Sequence, residues 1–154
     1  MTFPRFSILR SVDLPCPVEE LYDFHQNPAN MRTILPPGQK LERFEGDPIA
    51  HEGDELILHL RVVWVLRIRW KARWATADPP SRLVDDCLEG PFPLFLHEHR
   101  FRPLPDGSSR LTDHIMYALP LPWLTWPLSL TVGYWALSQM LKIRHARTLA
   151  HFSK

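Results

Sequence analysis

Cysteine is scarce in this chain, and neither sign of charge is in excess. Two cysteines, Cys16 and Cys87, stand far apart in the sequence. They exclude a disulfide scaffold and a cysteine-built metal site, and they suit a reducing, cytoplasmic setting. Lys plus Arg number 18 against 17 for Asp plus Glu, a formal charge of +1. No global field therefore gathers polyanions. There is no phosphate-binding glycine loop, no serine nucleophile elbow and no dinucleotide fingerprint. The opening MTFPRFSILR has a proline and an arginine where a signal peptide needs an apolar core. Residues 115–141 carry no charge, but Pro120, Pro122 and Pro127 break the stretch, and Thr125, Ser129, Thr131, Ser138 and Gln139 dilute it. A buried C-terminal helix is expected there rather than a membrane span.

What is abundant is proline: 16 of 154 residues. Proline interrupts helices and central strands, which excludes long coiled coils and solenoids. The chain is 45% hydrophobic and 23% charged, an ordinary globular mixture. One domain over residues 1–154 is expected. The front reads as a strand over 6–12, a helix beginning after Pro17 and a short helix over 30–35. In the middle, every even position from Leu56 to Trp74 is apolar, while Arg61, Arg67, Arg69, Lys71 and Arg73 hold odd positions. This period of two makes a hairpin turning near residues 64–66. Basic residues and tryptophans fall on opposite faces, so nucleic acid is not an expected partner. Strands follow at 82–88, 94–102 and 110–118. A long helix, capped near Thr125 and Pro127, runs to about residue 152. The class is α+β, with the long helix on an antiparallel sheet.

The last three strands carry the chemistry. Their odd positions are Leu83, Asp85, Cys87; then Phe95, His97, His99, Phe101; then Leu111, Asp113, Ile115, Tyr117. Residues two apart share a face, and apolar ends mark it as the inward one. Matching apolar with apolar sets Phe101 opposite Leu111, His99 opposite Asp113 and His97 opposite Ile115. Across the other turn, Asp85 faces His97 and Cys87 faces Phe95. Asp85, His97, His99 and Asp113 thus form an ionisable strip on a greasy surface. Three readings compete: a satisfied polar network in the core, a ligand-anchoring or acid/base strip in a pocket, and a metal site from His97, His99 and a carboxylate. A cupin-like site expects a glutamate soon after the HxH pair. Residues 100–104 supply none, so neither metal nor cofactor is expected.

The run Asp85, Gly90-Pro91-Phe92, Phe95-x-His97-x-His99-x-Phe101, Leu111-x-Asp113-x-Ile115-x-Tyr117-x-x-Pro120 resembles the START-like superfamily, also called the polyketide cyclase/dehydrase or SRPBCC group. The front LPCPVEELYDFHQNPANMRTILPP and the tail LKIRHARTLAHF are similar to the same group. The resemblance implies a helix-grip fold: a curved seven-stranded antiparallel sheet, two short helices and a long C-terminal helix around an apolar cavity. The residues themselves lead to the expectation of a small hydrophobic or amphipathic ligand, with Phe95, Phe101, Ile115, Tyr117, Trp70, Trp74 and Trp135 as walls. His97, His99, Asp85 and Asp113 would orient the ligand's polar group. One alternative is a cyclase or dehydratase with His99, polarised by Asp113, as acid or base. A second is a membrane-associated lipid carrier using the Pro/Trp-rich stretch 120–135. Apart from that alternative a membrane surface is not an expected partner, and a homodimer is compatible with the sequence.

Overall fold

The computed structural model describes residues 4–120, 124, 127 and 129–154. Seven strands form one antiparallel sheet: β1 (Phe6–Leu14), β2 (Lys40–Glu45), β3 (Glu55–Val62), β4 (Leu66–Asp78), β5 (Arg82–Glu89), β6 (Leu94–Pro103) and β7 (Ser109–Ala118). Their spatial order is β1-β7-β6-β5-β4-β3-β2. Two short helices, α1 (Val18–Gln26) and α2 (Met31–Ile34), follow β1, and α3 (Tyr134–Phe152) ends the chain. Among the described residues, no helix is long and apolar enough to cross a membrane.

Local chemistry explains most boundaries. Pro17 precedes α1, where a fixed φ suits helix entry, and Glu19 and Glu20 complement the dipole of its first turn. Asn27 accepts a hydrogen bond from the Ala29 amide and starts the short 3-10 turn that leads to α2. In β3 and β4 the alternation places Leu56, Leu58, Trp70, Ala72 and Trp74 on the inner side. On the outer side all five basic residues find carboxylates: Arg61 and Arg67 pair with Glu42, Arg69 with Glu89, Lys71 with Glu55 and Arg73 with Asp86. Cross-strand pairs of this kind neutralise the row locally.

Two expectations need correction, and one strand, β2, is not read from the sequence. Strand β2 escapes a period-two reading because a bulge between Leu41 and Arg43 breaks its alternation. Cys87 does not sit opposite Phe95: the β5–β6 ladder ends at Asp86 and Leu96, and Cys87 pairs with Ala72 in β4. The regular part of the last helix begins at Tyr134, after a π-helical turn over Ser129–Gly133; Leu124 and Pro127 are also helical, and Thr125 lies outside the described residues.

The β3–β4 hairpin closes with no glycine. Val63 and Trp64 both take positive φ, 50° and 64°. A β-branched residue there is strained. Docking of Trp64 on Gly38 holds the turn: the Trp64 amide donates to the Gly38 carbonyl at 3.0 Å, and a Cβ on Gly38 would meet the indole at 3.2 Å. Replacing Val63 by Gly is therefore expected to stabilise the protein by about 1 kcal/mol. Gly38→Ala should destabilise it. Urea midpoints of the two variants check both signs.

Candidate functional site

The ionisable strip forms as the register requires. His99 pairs with Asp113, His97 with Ile115, Phe101 with Leu111 and Asp85 with His97. His97, His99 and Asp113 are buried, and Asp85 is half-buried. Asp113 is the hub. Its Oδ1 accepts from His97 Nε2 at 2.9 Å, and its Oδ2 accepts from His145 Nε2 at 2.5 Å. His99 Nδ1 lies 2.5 Å from Oδ1, a charge contact rather than an aligned hydrogen bond. On its other side, His99 Nε2 is 3.7 Å from Asp85 Oδ2. The His97 and His99 ring centres are 4.0 Å apart.

A fourth imidazole joins from α1. His25 donates from Nδ1 to the Leu21 carbonyl at 2.9 Å, which leaves Nε2 as its acceptor, and its ring lies 5.5 Å from that of His99. Burial draws His25 down to about 3 and His97 down to about 4, helped in each case by the charge on His99. Burial opposes charge on His99 as well, but Asp113 and then Asp85 outweigh it and push that ring up to about 9. Burial alone would raise Asp113; the His99 charge and the donors of His145 and His97 hold it well below the usual carboxylate range. His99 and Asp113 are therefore a buried ion pair, flanked by the neutral rings of His25 and His97.

Beside this cluster lies a cavity of about 430 Å³. Leu56, Leu58, Leu60, Trp70, Trp74 and Phe95 form its sheet wall, and Phe24, Met31, Ile34, Leu137 and Met140 its helical wall. Its polar groups include His25, Asp85, His97, His99 and Arg144. Of the residues expected at the site, Asp85, His97, His99, Phe95, Trp70 and Trp74 face this space. The other five do not. Asp113 lies behind the imidazoles. Phe101 packs edge-on against Tyr22. Ile115 and Tyr117 are fully buried in a cluster with Leu141, because α3 covers that end of β7. Trp135 is 64% exposed. It sits two residues from the cavity-lining Leu137, about 200° round the helix. Trp123 and Trp126, in the same Pro/Trp-rich stretch, lie outside the described residues.

Two histidines of the cluster, His25 and His145, were not singled out in the sequence. His145 stands among Lys142, Arg144 and Arg147 and reads there as part of a basic helix end. The available signal was spacing: Leu141, His145 and Thr148 fall at i, i+4 and i+7, one stripe of α3, and all three are buried. Cys16 and Cys87 are free thiols, and burial pushes each up to about 11, which leaves them unreactive near neutrality.

No family model matches the chain, and no curated protein matches it. Solved structures do match over nearly its whole length. Ginseng major latex-like protein 151 from Panax ginseng superposes with a TM-score of 0.69 at 10% identity, covering 96% of this chain and 97% of that one. The chain has the helix-grip fold. A Rhodobacter sphaeroides protein aligns with a TM-score of 0.71 at 15% identity over 97% of this chain and 92% of its own. A Thermus thermophilus protein aligns at 0.63 with 22% identity over 96% and 99%. At these identities the helix-grip likeness is one of backbone architecture alone.

Removing the hub leaves buried imidazoles without their counter-charge. Asp113→Ala is expected to cost about 3–5 kcal/mol, read from urea unfolding. The pH dependence has a defined sign. His99 is raised above its unfolded value of 6.5, so its contribution is complete below that pH and is lost as pH climbs towards 9. His25 and His97 are lowered from 6.5, so the folded state is penalised as pH falls below that value. Stability should peak near pH 6.5, the value from which all three rings depart. His99→Gln should flatten the alkaline limb and His25→Gln the acid limb; unchanged limbs would contradict the charge assignment.

Proposed function

We propose that residues 1–154 act as one ligand-binding domain that takes up a small amphipathic molecule. The observation that carries this reading is the cavity of about 430 Å³, apolar on its sheet and helical walls and polar where His97, His99, Asp85 and Arg144 meet it. Specific small-molecule sites have this make-up: apolar area for affinity and a few convergent polar groups for orientation, in roughly 300–1,000 Å³. His99 and Arg144 are donors, so the polar end of the ligand carries oxygen acceptors such as a carbonyl or carboxylate. Trp70 and Phe95, edge to face at 4.9 Å, provide an aromatic corner for its body.

A second reading is favoured by one feature, the order carboxylate, imidazole, cavity. Asp113 contacts His97 and His99 from behind, as an orienting acid does in general acid–base catalysis. A cyclase or dehydratase acting on a polyketide-like substrate would use His99 this way. Tyr117, buried beside Leu141 and away from the cavity, has no part in such a site.

A dansyl-labelled fatty acid in the presence of a chelator tests the binding reading. Saturable one-to-one binding is expected, and a ligand at about 100 times its Kd should add ~2.7 kcal/mol of stability. Leu58→Trp and Ala72→Phe, which fill the space, should weaken binding at least tenfold (about 1.4 kcal/mol) while the far-UV spectrum stays native. Absence of saturable binding, or equal binding by the filled variants, defeats the proposal. If the site is catalytic, His99→Gln loses turnover and keeps ligand affinity.

A further inference from the structure

The polar end of the cavity has more structure than anchoring a ligand requires. Asp85 from β5 and His97 and His99 from β6 bring one donor atom each to within 4.8 Å of one another. The carboxylate absent from residues 100–104 comes instead from the neighbouring strand, where Asp85 is the register partner of His97. We propose that Asp85, His97 and His99 form a binding site for a divalent transition-metal ion of the zinc type, with its remaining coordination position open to the cavity.

Three features of the geometry support the assignment. The donor set, two imidazoles and one carboxylate, is the set that catalytic zinc and non-haem iron sites use with positions left free. The outer contacts are also those of a metal site. A ligating histidine presents one ring nitrogen to the ion and the other to a carboxylate or carbonyl, which fixes its orientation. Here His97 Nε2 and His99 Nδ1 both lie against Asp113 Oδ1, at 2.9 and 2.5 Å. That leaves His97 Nδ1 and His99 Nε2 as the nitrogens for an ion, which on binding displaces the proton of His99 Nε2 to solvent. His145, from the facing helix, holds the second oxygen of Asp113.

Spacing is the third feature. Bonds of about 2.0–2.1 Å in a tetrahedral shell set neighbouring donors about 3.4 Å apart. His99 Nε2 and Asp85 Oδ2 are already 3.7 Å apart. All three donor atoms lie within 4.8 Å of one another, and Asp85, the least buried of the three side chains, has the most room to adjust. Asp85 also sits beside an irregularity in the β4–β5 ladder, between Trp74 and Thr76. Bulges at such positions re-aim a side chain. The inference stands on these residues alone and needs no organic occupant.

The test uses the whole chain, stripped by chelator and freed of co-purifying ligand. Zinc is titrated calorimetrically, and cobalt(II) is followed by its visible absorption. One equivalent of either ion is expected to bind, with the cobalt band of a tetrahedral or five-coordinate site. Asp85→Asn, His97→Gln and His99→Gln should each abolish the band, and Asp113→Asn should weaken zinc 10–100-fold, about the usual effect of losing an outer-shell partner. His51→Gln, at an exposed position, should leave the isotherm unchanged. Asp85 has the most exposed side chain of the set, so its variant reports on the site even if the histidine variants unfold. The proposal is overturned if no stoichiometric ion binds, or if Asp85→Asn binds zinc and cobalt as the parent does. Because the fatty-acid assay is run with chelator, the amphiphile reading and the metal site can fail independently.

Discussion

A carboxylate buried inside an apolar core is the constraint on which this structure turns. Taking the Asp113 charge out of water costs several kcal/mol unless donors and an opposite charge replace the water. The chain supplies them from two elements far apart in sequence: His97 and His99 on β6, and His145 on α3. Apolar contact is non-directional and would let a helix slide on a sheet. A hydrogen bond at fixed length does not. The bond from His145 therefore sets both the height and the rotation of α3 over β7, and Leu141, one turn earlier, packs into the cluster of Ile8, Phe95, Ile115 and Tyr117.

The placement of the cavity follows. With α3 held over the β1–β7 end of the sheet, the inner faces of β3, β4 and β6 are only partly covered, by α1, α2 and one side of α3. The open space lies there. Asp113 holds two imidazoles from behind, so the groups that meet the cavity are rings rather than the carboxylate itself. A pair of ionised groups, His99 and Asp113, thus shares one buried site, and only its cationic member borders the cavity.

Much of this was legible in the sequence because strands announce themselves by period two. Matching apolar ends of β6 with β7 set His99 against Asp113, and matching β5 with β6 set Asp85 against His97. A slip of two residues would keep the strip and re-pair its members, and the structure takes the unslipped register. The hairpin near Trp64 was legible as a pattern too long for one strand, although its turn residues, Val63 and Trp64, break the usual glycine preference. Where a bulge disturbs the alternation, as in β2, the signal vanishes. His25 and His145 were hidden for another reason: on a helix a single polar residue in an apolar stripe looks like a neighbour of the charged residues around it.

The sequence by itself determined the α+β class, the long C-terminal helix and the side of the sheet on which the acids and imidazoles stand, since alternation is a local property of the chain. Only the tertiary structure decided how deep each of them lies. Asp113, Phe101, Ile115 and Tyr117 share a face with His97, His99 and Phe95, yet packed side chains from α1 and α3 cover the first four and leave the last three beside the cavity. Period identifies the face, but depth depends on what the rest of the chain lays over it.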